Sequence, residues 1–126
     1  MSFEKMGLSP EILKALQTRK YVDPTPIQSK AIPVIMQGKD LIGCAQTGTG
    51  KTAGFTLPIL NRLQQGKSPS LRALVIVPTR ELAMQVHDSV KTYGSNLRLR
   101  TALVYGGVGI YPQKEALRRG VDILIA

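Results

Sequence analysis

At 126 residues the chain is one domain at most, and with 43% apolar residues its composition is globular rather than disordered. No stretch approaches the ~18 to 20 uninterrupted apolar residues that cross a bilayer, and the opening "MSFEKMGLSP" lacks the order of a secretory leader, so a cytoplasmic location is expected. Seventeen Lys and Arg against eight Asp and Glu leave a formal charge of +9, which points either to a polyanionic partner or to a surface kept soluble by its charge.

Two helix starts come first in the chain. Ser9 is a cap and Pro10 a first-turn residue for a helix carrying Ile12, Leu13 and Leu16; Thr25, Pro26 and Gln28 open a second, kinked at Pro33 and ending near Gly38. "DLIGCA" (Asp40 to Ala45) is a short apolar run that reads as a strand. Cys44 lies within it, where a buried, inert thiol is expected; as the single cysteine it excludes an internal disulfide or a cysteine metal cluster. A glycine-rich loop and a helix from Lys51 to Leu63 follow. "ALVIV" (Ala73 to Val77) predicts a strand covered on both faces. "PTRELAMQVHDSVKTYG" predicts a helix beginning at Thr79 or Arg80 and ending at Gly94, with His87 on it as a surface or packing residue. "RTALVY" (Arg100 to Tyr105), "YPQKEALRRG" and "VDILIA" (Val121 to Ala126) read as strand, short helix and strand. The alternation implies an α/β fold with a parallel sheet flanked by helices. Because the chain stops within or at the end of a strand, a fragment of a longer domain is expected.

The stretch "AQTGTGKT" (Ala45 to Thr52) carries the chemistry. It follows the phosphate-loop pattern G-x-x-x-x-G-K-[ST], with Ala45 at the first glycine position and Gln46, Thr47 and Thr49 among the loop residues. Gly48 and Gly50 let backbone N–H groups converge on phosphate oxygens, Lys51 neutralises charge, and the Thr52 hydroxyl can reach Mg2+. A strand before and a helix after would also bring the phosphates to a helix N-terminus. The alternative is a chance glycine-rich turn.

Three further stretches carry a family resemblance. "KYVDPTPIQ" (Lys20 to Gln28) resembles the adenine-recognition motif of the DEAD-box RNA helicases, and Phe3 stands upstream of it where that family places an isolated aromatic. "PTRELA" (Pro78 to Ala83) resembles its first RNA-contacting motif, and Gly106 with Gly107 its glycine doublet. "AQTGTGKT" is similar to the family's own phosphate loop, in which alanine commonly takes the first position, and "SFEKMGLSPEILKAL" with "AGFTLPIL" looks most like the bacterial RhlE type. The resemblance covers nearly the whole chain. It implies that residues 1–126 are the first part of the N-terminal RecA-like domain of an ATP-dependent RNA helicase. It further implies that Gln28 reads adenine and Tyr21 stacks on it, while Ala45 to Thr52 hold ATP, with Thr52 on Mg2+. Pro78, Thr79, Arg80, Gly106 and Gly107 would then touch RNA phosphates, giving sequence-indifferent, salt-sensitive binding. Local readings compete at each point. Thr25 and Gln28 also spell a T-x-x-Q capping box, Tyr21 suits a core, and Thr79 with Arg80 suits an N-cap beside a solvated charge. Lys20 stands where the family usually has glycine.

The same resemblance shows what the chain lacks. The D-E-A-D and S-A-T stretches do not occur, and Asp40, Glu81 and Asp122 do not stand in for them. Nor is there a second RecA-like domain. The chain alone is therefore expected to hold ATP through Lys51 and Thr52 without hydrolysing it. The RecA-like sheet places two later strands between the strand feeding the loop and "ALVIV". A split sheet with unpaired apolar edges is expected, and with it self-association, borrowed strands, or a longer parent chain. Two other functions remain open. One is a different phosphate-loop nucleotidase such as a kinase or GTPase, against which the absence of N-K-x-D and the presence of "PTPIQ" weigh; the other is a non-catalytic nucleic-acid or interaction module.

Overall fold

In the computed structural model, residues 2–65 and 70–126 are described. A 3-10 turn, Phe3–Met6, leads to helix α1 (Pro10–Thr18), where Ser9 Oγ accepts from Ile12 N–H at 3.4 Å as the predicted cap. Ser9 N–H itself donates to Asn61 Oδ1 at 2.8 Å, which ties the start of α1 to helix α3 (Lys51–Leu63). Helix α2 (Pro26–Met36) opens on the Thr25–Gln28 capping box and contains Pro33. Helix α4 (Arg80–Tyr93) is capped by Thr79, whose Oγ1 accepts from Leu82 N–H at 3.1 Å, and α5 (Ile110–Arg118) follows Gly109.

Strands β1 (Ala73–Val75), β2 (Thr101–Leu103) and β3 (Ile123–Ile125) form the expected parallel sheet, in the order β1-β3-β2. Ala73 and Thr101 both lie in register with Ile123. The last strand in sequence is thus the central one. Its Ile123 and Ile125 are buried against Leu57 and Leu60 of α3 and Val86 and Val90 of α4, with Ile12, Leu16 and Ile32 extending the same core. Burying a side chain of this size stabilises the fold by about 1.5–3 kcal/mol. Phe3, the isolated aromatic, is part of that core.

Asp122 fastens the sheet at its N-terminal end. Its carboxylate accepts from the Arg72 guanidinium at 2.8 Å and from Arg100 N–H at 2.9 Å, joining the approaches to all three strands. Burial lowers the pKa of His87 on α4, with Lys91 adding to the effect. Among the described residues no group of three His, Cys, Asp or Glu could hold a metal ion. Nor, among the described residues, is any helix long and apolar enough to cross a membrane.

Three expectations fail. "ALVIV", read as a strand covered on both faces, is a strand only at Ala73–Val75, and Leu74 is 56% exposed because that face fronts an open cleft. Asp40 to Ala45 has no regular secondary structure, and Cys44 is exposed rather than buried. A strand needs a neighbouring backbone to take its N–H and C=O groups, and no strand lies beside this run among the described residues. Ile42 is consequently 93% exposed despite its apolar character.

Candidate nucleotide and nucleic-acid site

The glycine-rich loop turns into α3 through Gly48 (φ +84°) and Gly50 (φ +85°), both in the left-handed region that favours glycine. The two positions differ in surroundings. A Cβ at Gly48 would meet nothing within 4 Å, whereas one at Gly50 would collide with Gln28 Nε2. The outer face of the loop is therefore open and its inner face packed. Lys51 Nζ donates to Ala45 O at 2.5 Å, and Thr49 Oγ1 donates to Gln46 O at 2.6 Å, so the loop satisfies its own carbonyls. Thr52 sits in the first turn of α3, where backbone N–H groups have no intrahelical partner. An ammonium, a hydroxyl and these N–H groups beside an open glycine turn are a donor set that fits a polyphosphate with its divalent cation. Asp40 lines the same cleft as Lys51 and Thr52; Glu81 lies in the first turn of α4 and Asp122 is engaged by two donors.

Gln28 is 7% exposed and uses both ends of its amide. Its Oε1 accepts from Thr25 N–H at 3.0 Å, which is the capping-box bond, and its Nε2 donates to Gly50 O at 3.0 Å. The local reading of Gln28 is thus correct but incomplete, since the amide also holds the inner face of the phosphate loop. One acceptor site and one N–H remain on it. The link to Gly50 has no local sequence signal and exists only because α2 packs along α3.

Tyr21 is half exposed and packs edge-to-face on Tyr93 of α4, with ring centroids 6.2 Å apart. Burial, followed by the neighbouring Tyr21, pushes the Tyr93 hydroxyl pKa up. Lys20 takes φ +60°, the turn a glycine would make without strain. The described ring contact of Tyr21 is with α4, not with Gln28 or the loop.

A second pair of motifs does meet. The exposed Arg80 guanidinium lies 6.0 Å from the Tyr105 ring centroid, a cation–π distance. A Cβ at Gly107 (φ +85°) would come within 2.8 Å of Arg80 Nη1, while Gly106 faces open space. Thr79 and Arg80 at the start of α4 are therefore adjacent to the glycine doublet after β2, with Pro78 leading into the helix. Sequence reasoning missed Tyr105, an aromatic directly before the doublet and the ring on which Arg80 rests.

Between the loop and the sheet lies a cleft of about 890 Å³, lined by residues 39–41 and 43 and by Leu74 to Pro78, with Ile27, Phe55 and Val86 among its apolar walls. Val75 O accepts from Ala126 N–H and Val77 N–H donates to Ala126 O, each at 2.9 Å, so the odd-numbered residues of this stretch pair with the β3 side. Leu74 and Ile76 then turn their peptide groups to the open edge. Their side chains are 56% and 76% exposed. The unpaired apolar edge expected from the sequence is present.

A parallel α/β sheet beside a glycine turn that delivers a lysine and a threonine to a helix N-terminus defines a phosphate-loop protein with RecA-like architecture. Residues 25–126 match the DEAD/DEAH box helicase family, to which the chain belongs. It is 46% identical over 125 residues to the DEAD-box ATP-dependent RNA helicase RhpA of Helicobacter pylori, covering 99% of this chain and 25% of that protein. It is 48% identical to the probable ATP-dependent RNA helicase DDX27 of Bos taurus, covering 100% of this chain and 17% of that one. Identities this close to bacterial and bovine members do not single out an RhlE subgroup. A crystal structure of a DEAD box protein from Methanococcus jannaschii superposes with a TM-score of 0.91 at 37% identity, covering 98% of this chain and 34% of that chain. The helicase Prp28 of Chaetomium thermophilum bound to ADP gives a TM-score of 0.90, also at 37% identity, with 98% and 31% covered. The chain thus spans a quarter or less of these two curated relatives.

Proposed function

We propose that the chain is the first part of the N-terminal RecA-like domain of an ATP-dependent RNA helicase and binds ATP and the RNA backbone for local duplex unwinding. The carrying observation is the Gln28 amide, which joins the "PTPIQ" segment to Gly50 of the phosphate loop, so that base-reading and phosphate-holding elements form one unit. In this reading the remaining acceptor and N–H of Gln28 face adenine, and Tyr21 offers its exposed ring to the base. Ala45 to Thr52 hold the phosphates, with Lys51 moving from Ala45 O to a phosphate oxygen and the Thr52 hydroxyl serving Mg2+. The bound cation would supply charge neutralisation across the phosphates. Pro78, Thr79, Arg80, Gly106 and Gly107 form the RNA-backbone surface. Hydrolysis needs carboxylates at the cation and a second RecA-like domain; of the acidic residues only Asp40 lines the cleft with Lys51 and Thr52, so the chain alone is expected to be inactive as an ATPase.

The test is nucleotide preference. ATP is expected to bind more tightly than GTP in titrations with fluorescent analogues, and Gln28→Leu is expected to reduce that preference. Equal affinity of the wild type for both nucleotides would remove adenine recognition from Gln28 and favour another phosphate-loop nucleotidase.

The open β1 edge and the cleft beside it also predict behaviour. On its own the 126-residue chain is expected to self-associate through added strands, because Leu74 and Ile76 expose both their side chains and their peptide groups. Light scattering should give a mass above 13.7 kDa that rises with concentration. A compact monomer with cooperative unfolding would contradict this.

A further inference from the structure

The glycine doublet lies in a loop that one side chain closes. Gln113 of α5 accepts from Tyr105 N–H through Oε1 at 3.0 Å and donates from Nε2 to Gly109 O at 3.0 Å. Its amide therefore spans the loop from the end that leaves β2 to the residue that caps α5. The enclosed residues are Gly106, Gly107 and Val108. Two of the three are glycines, whose backbones are free to take many conformations unless something outside them sets the loop ends. The loop in turn carries the Tyr105 ring, over which Arg80 rests, and Gly107, against whose Cα side Arg80 Nη1 is placed. Gln113 does not itself approach Arg80 in any described contact. It acts on the two things that do.

We propose that Gln113 is a positioning residue for RNA binding: by closing the 105–109 loop it holds the Gly106–Gly107 backbone where it and Arg80, resting on the Tyr105 ring, can serve one phosphate. This inference rests on the proposed RNA-backbone role of Arg80. Gln113→Met keeps the side-chain length and removes both hydrogen bonds. Tyr105→Phe keeps the ring under Arg80, and Tyr105→Leu removes it.

In the full-length protein, anisotropy titrations with a labelled single-stranded polyuridine oligonucleotide should show Gln113→Met and Tyr105→Leu each weakening binding about fivefold, the scale of one or two neutral hydrogen bonds or one cation–π contact. Tyr105→Phe should bind as wild type, and ATP affinity should be unchanged in all three, which separates positioning from loss of fold. Arg80→Ala should weaken RNA binding and reduce its salt dependence. Adding Gln113→Met to Arg80→Ala should then cost less than fivefold, since the share of the effect that runs through Arg80 is gone. If Arg80→Ala binds RNA as tightly as wild type, the RNA reading fails and this inference with it. If Arg80→Ala weakens binding but Gln113→Met matches wild type, or if the two losses simply multiply, the positioning role alone is overturned.

Discussion

Replacing Lys51 with alanine is expected to weaken ATP binding by about 2–3 kcal/mol, or ~30- to 150-fold, the scale of a lost charge-assisted hydrogen bond. The fold should not suffer. Lys51 is exposed at the first position of α3, its described partner is a carbonyl of its own loop, and alanine is the better helix former. Titration with a fluorescent ATP analogue, alongside a denaturation curve, checks both halves. Unchanged affinity would show that the ammonium does not leave Ala45 O for a phosphate and would unseat the loop as the ATP site. A collapsed unfolding transition would show instead that the Lys51–Ala45 bond supports the fold.

The second prediction separates two glycines that look alike in sequence. Gly48→Ala should cost about 1–2 kcal/mol, the penalty of a Cβ in the left-handed region, because nothing lies where the new methyl would go. Gly50→Ala carries the same penalty and also drives its methyl into Gln28 Nε2. Gln28 is buried and bonded at both amide ends, so displacing it leaves polar groups unsatisfied at roughly 1–3 kcal/mol more. A denaturant midpoint for Gly50→Ala clearly below that of Gly48→Ala is expected, with loss of ATP binding at the same position. Equal midpoints would mean that the Gln28–Gly50 contact gives way at no cost, and that the "PTPIQ" segment and the glycine-rich loop are not mechanically joined.

Helices were legible wherever their signals are local. Ser9, Thr25 and Thr79 announce their helices because capping acts over three or four residues, and all three stand at the N-cap positions of α1, α2 and α4. Strands were legible as apolar runs at "ALVIV", "RTALVY" and "VDILIA", but not by the same rule at "DLIGCA". Periodicity reports what a segment would do if a partner strand were beside it. The first three runs find one another, whereas Asp40 to Ala45 lines a cleft with no strand beside it among the described residues. The exposure of Cys44 has the same cause. His87, read as a surface or packing histidine, is partly buried on α4, and its lowered pKa comes first from that burial.

The sequence by itself determined the membership of the chain in its family, the α/β alternation, the order of the candidate motifs and the residue types at each. Those follow from spacing along one polymer, which is all that caps, glycine turns and β-branched runs require. Only the tertiary structure decided which motifs touch. It joins Gln28 to Gly50, sets Arg80 against Gly107 and Tyr105, makes Gln113 the tie across the glycine doublet, and turns Tyr21 to Tyr93. Such contacts depend on how α2 packs on α3 and how α4 and α5 flank β2, and no residue's neighbours in sequence carry that information.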